Sequence, residues 1–197
     1  QELDAGNPTK PNIALTFDAG AGAGPALKLL DILRQKKVHS TFFMTGQFAR
    51  QNVPLVKEIV AEGHELANHT FDHQDLTTLS DAAAASEITR GEDTISAIAG
   101  VSPKPLFRFP YGARNPHLQN LVAGLGYRSI YWTVDSLDWE DQATVQSITS
   151  RVLGGSKNGA IVLMHVGATY TTTALPNIID TLRARGFTLV TAAEVAQ

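Results

Sequence analysis

Short, β-rich apolar runs alternate with longer stretches of helical periodicity from one end of the chain to the other. Ala26, Leu29, Leu30 and Leu33 fall at i, i+3, i+4 and i+7. So do Leu118, Leu121, Val122 and Leu125, and again Leu175, Ile178, Ile179 and Leu182. Each set predicts an amphipathic helix with one buried stripe. Weaker versions occur at Val56, Ile59 and Val60, in the alanine-rich stretch 81–99 with Ser80 as its N-cap, and at Val145, Ile148 and Val152. Between them lie strand candidates at 13–17, 40–44, 64–67, 106–109, 127–134, 160–164 and 187–190. Seven strands with six intervening helices predict an α/β fold with parallel strands. An open doubly wound sheet and a closed barrel both accommodate this order.

At 197 residues and 43% apolar composition the chain is long enough to bury a full core. The net charge is only −3 and no basic cluster occurs, which argues against a nucleic-acid or anionic-membrane partner. No apolar run reaches the roughly 18 residues of a spanning helix, and residues 1–8 do not resemble a signal peptide, so a soluble chain is expected. There is no cysteine, so any metal must be held by histidine, carboxylate or water. The glycine and alanine run 20–24 predicts a flexible loop after the first strand. It lacks the Lys-Ser/Thr ending of a phosphate-binding loop.

The polar residues fall in one place relative to this pattern. Thr16-Phe17-Asp18-Ala19-Gly20 ends the first strand, Asn68-His69-Thr70-Phe71-Asp72-His73 follows the third, and Arg108-Phe109-Pro110-Tyr111-Gly112 ends the fourth. Asp135-Ser136-Leu137-Asp138-Trp139 follows the fifth and His165 follows the sixth. In parallel α/β proteins the carboxyl ends of the strands carry loops that converge on one face, where sites are built. His69 and His73 are the best metal-ligand candidates in the chain. His39, His64 and His117 match no motif and are read as structural or exposed.

Taken together and in this order, the five motifs resemble those of the polysaccharide deacetylases of carbohydrate esterase family four. The resemblance runs from residue 16 to residue 165 and implies a distorted, partly open (β/α) barrel of about seven parallel strands. Residues 1–12 are then an N-terminal extension and 13–197 a catalytic domain. The implied reaction is hydrolytic deacetylation of an N-acetylglucosamine polymer, chitin-like or peptidoglycan, by attack of a metal-bound water on the acetyl carbonyl. His69 and His73 match the metal-binding histidines, Asp18 the catalytic base and His165 the general acid. Arg108 would keep Asp18 ionised and Asp138, with Asp135 as fallback, would raise the pKa of His165. The Tyr111 N–H would face the oxyanion, and Trp139 and Leu163 would line the acetyl pocket, although Trp139 fits ordinary core packing equally well.

One position departs from the pattern. Where the family has a second aspartate that ligates the metal, this chain has Ala19, which leaves three outcomes open. Asp18 moves onto the metal, water fills the vacant place and the ion is held weakly and stripped easily, or activity is lost. The second is favoured, because Asp18, His165, Arg108 and both histidines are retained. The implied ion is zinc, with cobalt or nickel as substitutes. The implied partner is an acetylated polysaccharide or oligosaccharide bound by a monomer that is secreted or associated with the cell envelope, and bacterial in preference to fungal. Two other readings share the motifs: an acetyl xylan esterase of the same family, and a noncatalytic carbohydrate-binding domain whose metal site has degraded.

Overall fold

The computed structural model of the protein describes residues 2–20 and 22–197, so Ala21 of the predicted glycine-rich loop lies outside the described residues. Among the described residues eight strands form one sheet in which every pairing is parallel. They are β1 (Asn12–Ala19), β2 (Thr41–Met44), β3 (Glu65–Asn68), β4 (Leu106–Phe107), β5 (Arg128–Ser129), β6 (Val134–Asp135), β7 (Ala160–His165) and β8 (Thr188–Val190). The main path runs β5-β4-β3-β2-β1-β7-β6, and β8 pairs with the first residues of β1. Around it lie α1 (Ala26–Lys36), α2 (Gly46–Gln51), α3 (Val53–Ala61), α4 (Asp81–Ala99), α5 (Pro116–Gly124), α6 (Val145–Gly155), α7 (Thr171–Ala184) and α8 (Ala192–Val195). This is the curled, partly open α/β barrel that the motif order implies.

The predicted strand 127–134 requires correction. It is two pairs of residues, β5 and β6, joined by a segment that crosses from one end of the sheet to the other. Ile130 N–H still donates to Phe107 O of β4, whereas Thr133 N–H donates to Ile161 O of β7. Between them the N-terminal segment fills the seam: Leu3 N–H donates to Ser129 O, and Tyr131 N–H donates to Leu3 O, each at 2.9 Å. Two helices also escape the periodicity, α2 and the four-residue α8, both too short to show one.

Strand alternation sorts β1 into two layers. Ile13, Leu15 and Phe17 join the outer core with the α1 stripe Leu29, Leu30, Leu33 and the α7 stripe Leu175, Ile178, Ile179, Leu182. Each such fully buried side chain contributes about 1.5–3 kcal/mol. Ala14 faces inward with Phe43, Ala67 and Ile161, and Ala192 and Val195 of α8 join this inner cluster. The N-terminus of α8 is held by Thr41 Oγ1 and Glu65 Oε2, which accept from Ala192 N–H at 2.8 Å and Ala193 N–H at 3.3 Å. Ser80 caps α4 as expected, accepting from Ala83 N–H. Among the described residues no helix is long and apolar enough to cross a membrane.

The α4 helix presses directly on the segment that carries the first histidine. Asn68, fully buried at the end of β3, donates through Nδ2 to Ile88 O and to the Tyr127 hydroxyl, both at 2.9 Å. Its Oδ1 accepts from Thr70 N–H at 3.0 Å. A Cβ on Gly91 would lie 2.7 Å from both Asn68 Oδ1 and Thr70 O, so only glycine allows this approach. Helical Gly→Ala changes ordinarily gain about 0.5–1 kcal/mol. Gly91→Ala is expected to reverse that sign and cost about 1–3 kcal/mol. Gly154→Ala, with no atom within 4 Å of the added Cβ, is expected to show the ordinary gain. Urea unfolding of the two variants decides it, and stabilisation by both would refute the close-packing account.

Candidate active site

Asp18 is the last inward-facing residue of β1 before its end, and Arg108 follows β4 directly. The two meet inside the barrel, where Arg108 has no exposed surface. Its Nη1 donates to Asp18 Oδ1 at 2.6 Å and to Thr16 Oγ1 at 2.9 Å, Nε donates to Ile130 O, and Nη2 donates to Tyr131 O. The guanidinium also lies 3.9 Å from the centre of the Phe43 ring. Burial by itself would raise the Asp18 carboxyl, but Arg108, aided by the neighbouring imidazoles, overrides it and holds the pKa below the ordinary carboxylate value.

The Arg108 carbonyl accepts from His69 Nδ1 at 2.8 Å. A carbonyl only accepts, so Nδ1 carries the proton and Nε2 presents its lone pair 3.5 Å from Asp18 Oδ2. Burial, outweighing the attraction of Asp18, pulls the His69 pKa down to about 4, and it also lowers His73. The two rings lie 4.8 Å apart, with Tyr111 4.5 Å beyond His73. On the other side, His165 Nδ1 donates to Asp138 Oδ1 at 2.7 Å, while Asp138 Oδ2 accepts from His165 N–H and from the Thr171 hydroxyl. Burial opposes the imidazolium here too, yet the Asp138 hydrogen bond and the charges of Asp18, Asp138 and Asp135 win and raise the pKa.

Asp18, His69, His73, Tyr111, Trp139, Leu163 and His165 all line one cavity of about 500 Å³. Leu163 is buried in its floor, whereas Trp139 is 58% exposed, which removes the core-packing reading of that tryptophan. Asp138 and Arg108 act from behind the wall. Ala19 does not line the cavity and packs in the outer apolar cluster with Phe17. Among the described residues no group of three or more His, Cys, Asp or Glu side chains encloses a metal position. What remains is a two-imidazole donor set on one wall, with the unpaired Asp18 oxygen beside it, and this set fits a divalent ion completed by water.

The backbone marks the same place. Five non-glycine residues have positive φ among the described residues, and four of them lie in these loops: Thr70, His73, Tyr111 and Leu137. Each costs about 1–3 kcal/mol, and such strain collects at functional sites. The Tyr111 N–H has no acceptor among the described residues, whereas the following Gly112 and Ala113 N–H groups donate to Phe109 and Pro110 carbonyls. No role for Thr16, Asn68, Trp132 or Thr171 was legible in the sequence. Of these, Trp132 is a cavity wall, which its place inside the predicted strand 127–134 did not signal.

The family model described as polysaccharide deacetylase matches residues 5–130. The chain belongs to that family. It is 36% identical over 193 residues to the chitooligosaccharide deacetylase of Rhizobium leguminosarum bv. trifolii, covering 90% of this chain and 88% of that protein. It is 34% identical over 187 residues to the peptidoglycan-N-acetylglucosamine deacetylase PgdA of Listeria monocytogenes; this covers 95% of the chain but spans only 39% of PgdA. In three dimensions it matches BA3943, a carbohydrate esterase family 4 pseudoenzyme from Bacillus anthracis, with a TM-score of 0.95 at 27% identity, covering 100% of this chain and 69% of that one. A BA3943 mutant with restored enzymatic activity matches with the same TM-score at 28% identity.

Within this family member, the His165–Asp138 pair is open to a direct check. Because the folded pKa of His165 is raised above 6.5, its stabilising contribution is complete below that value and is lost as pH rises through the folded pKa. Asp138→Asn is expected to lower the His165 midpoint and to flatten that part of the stability profile, as followed by imidazole NMR titration and urea unfolding. A midpoint that does not move would dismiss Asp138 as its partner.

Proposed function

We propose that this chain is a metal-assisted hydrolase that removes acetyl groups from an N-acetylglucosamine polymer, chitin-like or peptidoglycan. One observation carries the reading. A carboxylate held ionised by a buried arginine and an imidazole whose pKa is raised by a buried aspartate stand side by side on neighbouring strands, Asp18 paired with His165 in the β1–β7 register, and line the same cavity. Two ionisable groups pushed in opposite directions are what hydrolysis of an amide needs as base and acid. The names of the family relatives support the substrate class.

His69 and His73 would hold the divalent ion, zinc first, which would supply Lewis acidity and lower the pKa of water. The protein groups do the rest. Asp18 accepts a proton from the attacking water as its oxygen bonds to the acetyl carbon, while Arg108 keeps the carboxylate charged and aimed. The Tyr111 N–H donates to the developing oxyanion, a contribution of about 2.7–4 kcal/mol where such a donor is removed from other enzymes. His165 then gives its Nε2 proton to the departing nitrogen as the C–N bond breaks, leaving acetate and a free amine. Leu163 and Trp139 form the apolar end of the cavity suited to the acetyl methyl. Secretion or association with the cell envelope follows from a polymeric cell-wall substrate.

A second reading has a specific observation in its favour. The third protein ligand is absent at Ala19, and a pseudoenzyme shares the fold, so a binding domain without turnover is the alternative. Chelator-stripped protein is expected to release no acetate from an N-acetylglucosamine oligomer, and zinc is expected to restore release. No release in either sample, with the fold intact, the oligomer still bound and acetylated xylan also untouched, would favour the binding domain. Ala19→Asp is expected to tighten zinc binding by about tenfold or more, measured by competition with a chelating dye. Unchanged affinity would mean either that a carboxylate at this position, which packs in the outer cluster, does not reach the ion, or that another residue already fills the place.

A further inference from the structure

A connected set of side chains runs from the N-terminal segment to the rim of the cavity. Glu2 places Oε1 2.6 Å from Arg114 Nε and accepts the Ser129 hydroxyl on Oε2 at 3.0 Å. Arg114 donates from Nη1 to the Gly112 carbonyl at 3.1 Å, and its guanidinium lies 3.5 Å from the centre of the Tyr131 ring. Tyr131 stacks on Trp132, with ring centres 3.9 Å apart and planes 20° apart, and Trp132 forms part of the cavity wall. Gly112 is where this stack meets the Tyr111 turn. With φ at +65°, it would bring a Cβ within 2.6 Å of the Trp132 ring.

Two successive residues in the left-handed region, Tyr111 and Gly112, make a turn that needs support from outside itself. Arg114 supplies it in three ways: a bond to the turn's carbonyl, a stack on the ring pair behind the turn, and a charge-assisted bond to Glu2 that fixes its own direction. The backbone repeats the arrangement, since Leu3 is bonded on both sides of Ile130, and the carbonyls of Ile130 and Tyr131 are those that accept from Arg108.

We propose that Glu2 and Arg114 are positioning residues that lock the Tyr111 turn and the Trp132 wall, and through them the oxyanion donor. The catalytic half of this rests on the deacetylase reading; the structural half does not. Without the Glu2 carboxylate Arg114 is free to swing towards solvent, and the turn keeps its strain but loses its clamp. The loss expected is about tenfold in kcat, less than the 10²–10³ that follows outright removal of an oxyanion donor.

The test uses Glu2→Gln, Arg114→Lys and the double variant. Glu2→Gln is expected to shift the Trp132 indole and Tyr111 amide NMR signals, to speed exchange of the Tyr111 amide, and to lower kcat about tenfold with KM within about twofold. Glu2→Asp should restore part of each effect. The double variant should be no worse than Arg114→Lys, because the two residues act as one unit. Unmoved Trp132 and Tyr111 signals overturn the proposal, and moved signals with an unchanged kcat overturn its catalytic half. If the parent protein releases no acetate under any metal condition, the deacetylase reading fails, and the NMR signals still decide the positioning role.

Discussion

Everything in the site hangs on a guanidinium buried without any exposed surface. Removing Arg108 from water is expensive, and the barrel meets that cost with four of its five N–H groups, one each to Thr16, Asp18, Ile130 and Tyr131. Those partners belong to β1 and to the crossing segment between β5 and β6, and the residue itself extends β4. Its carbonyl selects the tautomer of His69, which follows β3. One residue therefore fixes the Asp18 carboxylate, the direction of one imidazole and the closure of the barrel at once. Breaking such a pair from one side typically costs about 3–5 kcal/mol, since the surviving charge stays buried.

That arrangement also explains how two opposite ionisation states persist a short distance apart. Asp18 and Asp138 are both buried carboxylates, yet they face different partners. Asp18 is answered by a permanent charge, so it remains a free acceptor on Oδ2. Asp138 is answered by His165 N–H, Nδ1–H and the Thr171 hydroxyl, and its bond to Nδ1 helps raise the His165 pKa. The pairings, and not the burial common to both, push Asp18 and His165 in opposite directions.

The sequence was most legible where physics repeats over many residues. The stripes of α1, α5 and α7 and the alternation of β1 were readable because 3.6- and 2-residue periods persist long enough to be counted. The site was legible for a different reason: strand order puts every strand's carboxyl end on one rim, so motif position implied convergence. What escaped was short or made by pairing. Two-residue strands have no period, so the crossing at 128–135 looked like one strand. The work of Asn68, Thr171 and Trp132 depends on partners 20 or more residues away, such as Ile88 O for Asn68 and Asp138 for Thr171.

Fold likeness does not separate a working deacetylase from a silent one, since a pseudoenzyme and its reactivated mutant match this chain with the same TM-score. The discriminating quantity is what the chain spends at the site. A barrel with no chemistry to perform gains nothing from left-handed Thr70, His73, Tyr111 and Leu137, from a backbone N–H without an acceptor at the turn, or from a desolvated arginine. Each is a cost that ordinary side chains would avoid, and strain of this kind is otherwise found among the described residues only at Lys37. The single missing carboxylate at Ala19 would weaken how an ion is held, but Asp18, His165 and the Tyr111 turn remain in place. The energy is still directed at the atoms that hydrolysis would use, and this weighs towards catalysis with a loosely held ion over binding without turnover.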